Sequence, residues 1–128
     1  MTLKSLITDL PLFEAIPKAN NNGDCYEVAY KYFNSKSSNK KLRLVHGLVR
    51  GQGALEGIIY NHAWVEDGNK IIDMTLDKKV QKSLPKVLYY AIGQIKVTYE
   101  YNYEEHIEKV NEYGTYGPWE KKLLSNKY

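Results

Sequence analysis

Three residue types that cooperate in nucleophilic catalysis stand out in this chain of 128 residues. Cys25, the chain's one cysteine, follows a polar run that ends in Gly-Asp. His62 lies in the segment HAWVE, and Asp73 ends the segment KIID. A thiol attacks a carbonyl carbon readily when an imidazole moves the proton and a carboxylate orients the imidazole. These residue types predict a cysteine-nucleophile triad of Cys25, His62 and Asp73.

The dipeptide Asp67-Gly68 predicts how the histidine meets the aspartate. It separates the apolar segments IIYNHAWVE and KIIDMT, and Asp-Gly between such segments is a strong hairpin signal. If Asp67 and Gly68 are the two loop residues, His62 and Asp73 are directly opposed, with Cβ atoms roughly 5 Å apart. We therefore expect the carboxylate to accept a hydrogen bond from one imidazole nitrogen, which leaves the other nitrogen as a base.

Cys25 is predicted to open a helix. Asn22 or Asp24 can accept hydrogen bonds from the free amides at the helix start. Within CYEVAYKYF, an i, i+3, i+4, i+7 pattern predicts one inward face, formed by Cys25, Val28, Ala29 and Tyr32. The partial positive charge of a helix N-terminus favours a thiolate.

An oxyanion formed during attack at Cys25 needs hydrogen-bond donors. One candidate is the Cys25 backbone N–H. The other is a side-chain amide from the run Asn20, Asn21 and Asn22, with Asn20 as the candidate oxyanion residue.

The remaining segments predict an α+β fold, in which an N-terminal helix carrying Cys25 packs on an antiparallel sheet. LRLVHGLV, IIYNHAWVE, KIIDMT, VLYYAIGQ and IKVTYEY are interpreted as strands, and YEEHIEKVNEY as a helix ending at Gly114 before a turn-rich tail. The length and the 43% hydrophobic content favour one domain over residues 1–128. Within it we distinguish an N-terminal arm (1–19), a catalytic core (20–75), and C-terminal strands, helix and tail (76–128).

Composition excludes several classes of function. A single cysteine forms no intrachain disulfide and no Cys pair for structural zinc, and we predict no metal and no cofactor. The net charge of +3 is spread over segments that also carry acidic or polar residues, which argues against nucleic acid as a partner. No apolar run is long enough to span a bilayer and the first residues do not resemble a signal peptide, so we expect a cytoplasmic protein without membrane attachment.

The other histidines and the tyrosines have simpler interpretations. His46 lies on a predicted strand and competes with His62 as the base, but counting residues gives it no acid partner. His106 is expected on a solvated helix face. The tyrosines are expected to pack on the sheet or line a groove; they include Tyr60, Tyr89, Tyr90, Tyr99, Tyr101 and Tyr103.

A Cys that opens a helix after Gly-Asp, followed by HAWVE on one strand and IID on the next, resembles the papain-like and transglutaminase-like superfamily of cysteine enzymes. The resemblance covers roughly residues 20–75. It implies that Cys25 is the nucleophile, His62 the base and Asp73 the orienting acid. Papain-type peptidases carry an oxyanion glutamine before the cysteine, whereas this chain has only asparagines in that loop.

These observations lead to the hypothesis of a peptidase-like or amidase-like cysteine hydrolase. The expected substrate is a protein, peptide or peptide-like molecule with an amide, isopeptide or ester bond. Acyl transfer to an amine is the alternative within the same chemistry. A non-catalytic binding or inhibitory module on the same scaffold is the alternative from another class. The sequence leaves the oligomeric state open.

Overall fold

The computed structural model of the protein describes residues 24–51 and 57–125. The predicted N-terminal arm (1–19), the run Asn20 to Asn22 and residues 52–56 lie outside the described residues. The elements in chain order are α1 (Asp24–Ser35), β1 (Leu42–Arg50), β2 (Ile59–Asp67), β3 (Lys70–Ile72), β4 (Leu84–Pro85), α2 (Lys86–Ile92), β5 (Thr98–Tyr101), α3 (Tyr103–Tyr113) and α4 (Lys121–Leu124).

The strands form one antiparallel sheet in the order β4-β3-β2-β1-β5. One face carries Val45, Trp64 and Ile71 and is covered by α2. The other face carries Leu44, Ala63 and Val65 and packs against α1. The predicted α+β class, with a helix carrying Cys25 on an antiparallel sheet, is therefore confirmed. None of the helices in the two described ranges is long and apolar enough to cross a membrane.

The predicted inward face of α1 is correct at Cys25 and Ala29 and wrong at Val28. Val28 is 36% exposed, Tyr32 is partly buried, and Tyr26 and Phe33 are buried beside Cys25 and Ala29. Tyr26 is drawn inward because its hydroxyl group donates a 2.7 Å hydrogen bond to Asn61 Oδ1 on β2. The predicted start of the helix next to Cys25 agrees with the structure.

The β2–β3 hairpin exists, but its predicted register is wrong by two residues. Asp67 pairs with Lys70, so the two loop residues are Gly68 and Asn69 rather than Asp67 and Gly68. Gly68 has a φ of 58°, which suits the glycine that opens a type II′ turn. A shift of two residues keeps every side chain on its predicted face, because side chains alternate with a period of two.

The segment VLYYAIGQ forms most of helix α2 rather than the predicted strand. Its aromatic and β-branched residues favour a strand locally, but packing on the sheet decides the outcome. As a helix, the segment buries Tyr89 and Ile92 against the sheet.

Helix α3 begins and ends as predicted, but its histidine does not lie where expected. Asn102 and Glu105 form a capping box at the start, and Gly114 ends the helix with a φ of 68°. His106, predicted on a solvated face, is fully buried. Its ring packs between α1 and the start of α3, with contacts to Tyr30 and Phe33.

Candidate active site

The imidazole of His62 and the carboxylate of Asp73 form a buried ion pair. His62 Nε2 lies 2.8 Å from Asp73 Oδ2, and each side chain is 1% exposed. The two residues are not directly opposed as predicted, because the register places Asp73 beyond the end of β3, level with Trp64. They are diagonal neighbours on the same face, a separation that these side chains bridge.

Asp73 accepts hydrogen bonds on both carboxylate oxygens. Oδ1 accepts from the Thr75 backbone N–H at 3.0 Å and from the Thr75 hydroxyl group at 2.6 Å. Oδ2 accepts from His62 and also from the Tyr89 hydroxyl group, at 2.6 Å. A carboxylate with donors on both oxygens is fixed in orientation and stabilised in its charged form.

Cys25 completes a chain of contacts with this pair. Cys25 is 5% exposed and belongs to the core beneath α1, and its thiol is among the groups that raise the pKa of His62. Since Nε2 of the imidazole contacts Asp73, Nδ1 is the nitrogen left for a nucleophile. The described β2–β3 ladder ends at Val65 and Ile72, so His62 lies beyond its paired part. The imidazole contacts Asp73, which follows β3, at this opening.

The charges of the pair follow from their surroundings. Burial lowers the pKa of His62, but the charge of Asp73, the hydrogen bond to it and the contacts with Cys25 raise that pKa to about 10. Burial raises the pKa of Asp73, but the charge and hydrogen bond of His62 and the donors Thr75 and Tyr89 hold it below its ordinary value. An imidazolium and a carboxylate are therefore paired at neutral pH.

His46, the competing base, lies on the other face of the sheet. It pairs with Ala63 in the ladder, is fully buried, and has no hydrogen-bond partner on either ring nitrogen among the described residues. Its ring is surrounded by aromatic rings at centroid distances of 4.7 to 5.1 Å, those of Tyr26, Tyr101 and Trp119. No described carboxylate orients His46, which leaves His62 as the histidine with the geometry of a base.

A second buried carboxylate lies further along β2. Glu66 is 3% exposed and accepts hydrogen bonds from Trp64 Nε1 at 2.9 Å and from the Tyr90 hydroxyl group. Lys86 Nζ lies 2.9 Å from Glu66 Oε1. Because Lys86 and Tyr90 both belong to α2, Glu66 anchors this helix to the sheet.

The structure thus brings the predicted residues His62 and Asp73 into contact, and Cys25 is among the groups that influence the imidazole, whereas Asn20 lies outside the described residues. Sequence reasoning missed Thr75 and Tyr89. Thr75 follows Asp73 at the spacing of a local Asx turn, a signal that was available. Tyr89 reaches Asp73 through tertiary packing and left no local signal.

No group of three or more metal-ligating side chains is arranged to hold an ion within the described ranges. Compared with models of protein families, with curated proteins and with solved structures, the chain matches none.

Proposed function

We propose that this protein is a cysteine hydrolase that cleaves an amide, isopeptide or ester bond through an acyl-enzyme on Cys25. The observation that carries the proposal is the buried hydrogen-bonded pair of His62 and Asp73, with the Cys25 thiol among the groups that raise the pKa of the imidazole. A nucleophile, a base and an orienting acid in contact are the arrangement that activates a thiol for attack on a carbonyl.

In the first half of the reaction, the Cys25 sulfur forms a bond to the carbonyl carbon, and the electron pair of the C=O bond moves to oxygen. The intermediate then collapses, the C–N or C–O bond breaks, and the leaving group takes the proton of His62 Nδ1. The product of this half is a thioester on Cys25.

In the second half, His62 Nδ1 takes a proton from water while the water oxygen forms a bond to the thioester carbon. The C–S bond breaks, the acid leaves, and the thiolate–imidazolium pair returns. Asp73 stays ionised throughout and holds Nε2, so that Nδ1 keeps its direction toward the sulfur.

The first turn of α1 supplies a donor for the oxyanion. Cys25 is the second residue of the helix, and the amides of the first turn have no carbonyl partner within the helix. The Cys25 backbone N–H is therefore a candidate oxyanion donor, and Asn20 is proposed as the second.

We assign this arrangement to the papain-like and transglutaminase-like mode of catalysis, with a protein, peptide or peptide-like substrate. The order Cys, His, Asp supports the assignment, as does a helix that carries the thiol onto an antiparallel sheet. An amine that replaces water in the second half converts hydrolysis into acyl transfer, so product analysis with and without added amine decides between the two.

The test is acylation of Cys25 by an activated ester, p-nitrophenyl acetate, read by nitrophenol release and by mass spectrometry. Because the chain has one cysteine, the labelled residue is unambiguous. The parent is compared with Cys25→Ser, His62→Ala and Asp73→Asn, and His46→Phe is the matched control, since it alters a buried histidine outside the contact chain. Iodoacetamide alkylation across pH measures the thiolate in the same set.

We expect rapid acylation and turnover in the parent, no acylation in Cys25→Ser, and a loss of at least about 100-fold in His62→Ala, in line with general acid–base catalysis. Asp73→Asn is expected to retain part of the acylation rate of the parent, and His46→Phe nearly all of it. A thiol that stays inert until the protein unfolds contradicts the proposal and favours a binding module. A Cys25 thiol that reacts equally well in His62→Ala also contradicts the proposal.

A further inference from the structure

The hydroxyl group of Tyr89 contacts the acid of the candidate triad directly. It donates to Asp73 Oδ2 at 2.6 Å, the same oxygen that lies 2.8 Å from His62 Nε2. Thr75 holds the other oxygen, Oδ1. Tyr89 is therefore the donor that fixes the carboxylate oxygen in contact with the imidazole.

The position of Tyr89 is itself fixed. Its ring packs on Trp64 at a centroid distance of 5.2 Å, and the side chain is 8% exposed. Its neighbour Tyr90 and the first residue of α2, Lys86, both contact Glu66 on the sheet. Two adjacent tyrosines of one helix thus donate to two different buried carboxylates, of which one belongs to the triad.

We propose that Tyr89 is a positioning residue of the candidate active site, which acts on His62 through Asp73. The inference rests on the proposed function. With Thr75 on one oxygen and Tyr89 on the other, the carboxylate plane cannot rotate without losing a hydrogen bond. The imidazole ring follows that plane, which keeps Nδ1 directed at Cys25.

Removing the Tyr89 hydroxyl group changes the pH at which Asp73 becomes protonated. The titratable groups that face Asp73 are His62 and Tyr60 from β2, Tyr89 from α2 and, beyond the imidazole, Cys25 from α1. The Tyr89 hydrogen bond lowers the pKa of Asp73, so its loss raises that pKa. Protonation of Asp73 then uncouples His62 at a higher pH than in the parent.

The experiment compares Tyr89→Phe with Tyr90→Phe, a matched control on the same helix whose hydroxyl group serves Glu66 instead. Two quantities are followed across the acid range: the rate of Cys25 alkylation and the NMR shifts of the His62 ring. Both are repeated in an Asp73→Asn background. Replacing Tyr89 by fluorotyrosine, which keeps the ring and makes the hydroxyl group a stronger donor, provides a second variant if Tyr89→Phe folds poorly.

In the acid range, the alkylation rate and the NMR shifts each change with pH. We expect this change to occur about one pH unit higher in Tyr89→Phe and at the pH of the parent in Tyr90→Phe. One unit corresponds to about 1.4 kcal/mol, near the lower end of what a hydrogen bond to a charged group contributes. Fluorotyrosine is expected to move this change to lower pH. In the Asp73→Asn background, Tyr89→Phe should add no further shift, because the carboxylate through which it acts is gone.

Equal shifts in Tyr89→Phe and Tyr90→Phe, no shift in either, or a Tyr89→Phe shift that persists in the Asp73→Asn background would overturn the inference. Failure of the proposed function is recognised separately, because Cys25 is then alkylated at the same rate in His62→Ala as in the parent. In that case the NMR titration of the His62 ring still decides whether Tyr89 acts on His62 through Asp73.

Discussion

The buried ring of His46 predicts a specific loss of stability in acid. Neither nitrogen has a hydrogen-bond partner within the described residues, and the ring is fully buried among aromatic side chains. A proton on this ring therefore meets no acceptor. Burial first, and then the charge of His62, lower the pKa of His46 from 6.5 to about 3.

The magnitude follows from proton linkage. Below pH 6.5 the unfolded chain takes up a proton at His46, whereas the folded protein does so only near pH 3. Between these values the unfolded state binds more protons, so the free energy of unfolding falls as the pH falls. Through His46, the free energy of unfolding is lowered by about 2 kcal/mol at pH 5 and by about 3 kcal/mol at pH 4, and it is hardly changed at pH 7.

The assay is urea unfolding of the parent and of His46→Phe at pH 7 and pH 5. Phenylalanine keeps an aromatic ring in place and removes the group that titrates. All other acid-sensitive groups contribute equally to both proteins, so the difference between their pH dependences isolates His46. The parent should lose about 2 kcal/mol more than the variant between the two pH values. Parallel pH dependences would refute the reasoning, because they would mean that the folded protein accommodates a charged His46.

Two further substitutions test the packing and the helix cap. Gly117→Ala should lower the free energy of unfolding by about 2 to 5 kcal/mol, because Gly117 has a φ of 123° and a Cβ there would lie 2.7 Å from the His46 ring and 2.9 Å from Tyr26; thermal unfolding that matches the parent would contradict this. Asn102→Ala should cost about 1 kcal/mol, because the side chain accepts a 2.8 Å hydrogen bond from the Glu105 N–H. Asn102→Asp keeps the acceptor and is the control in urea unfolding, and an equal loss in both variants would show that the cap is not responsible.

Much of the layout could be predicted from local patterns. The hairpin, the start of α1 beside Cys25 and the end of α3 at Gly114 all follow from signals within a few residues of the chain. The pairing of His62 with Asp73 was predicted from a wrong register, yet the prediction of contact holds. An error of two residues preserves the face of a strand, whereas an error of one would have separated the two side chains.

The remaining errors arise where distant parts of the chain decide the local structure. The residues around Tyr89 favour a strand by composition but form a helix, because that helix buries two residues on the sheet and donates to two carboxylates. His106 looked exposed because its neighbours in sequence are charged, whereas its ring packs beneath α1. These contacts join residues that are far apart in the sequence, so local sequence patterns do not predict them.

The aromatic packing described above also equips the protein with two optical probes. Each of the chain's two tryptophans lies beside a different buried histidine: Trp64 is 6.0 Å from His62 and Trp119 is 4.7 Å from His46, measured between ring centroids. A protonated imidazole quenches indole fluorescence more strongly than a neutral one. In single-tryptophan variants, the emission of Trp64 will therefore follow the charge of His62, while that of Trp119 follows the charge of His46.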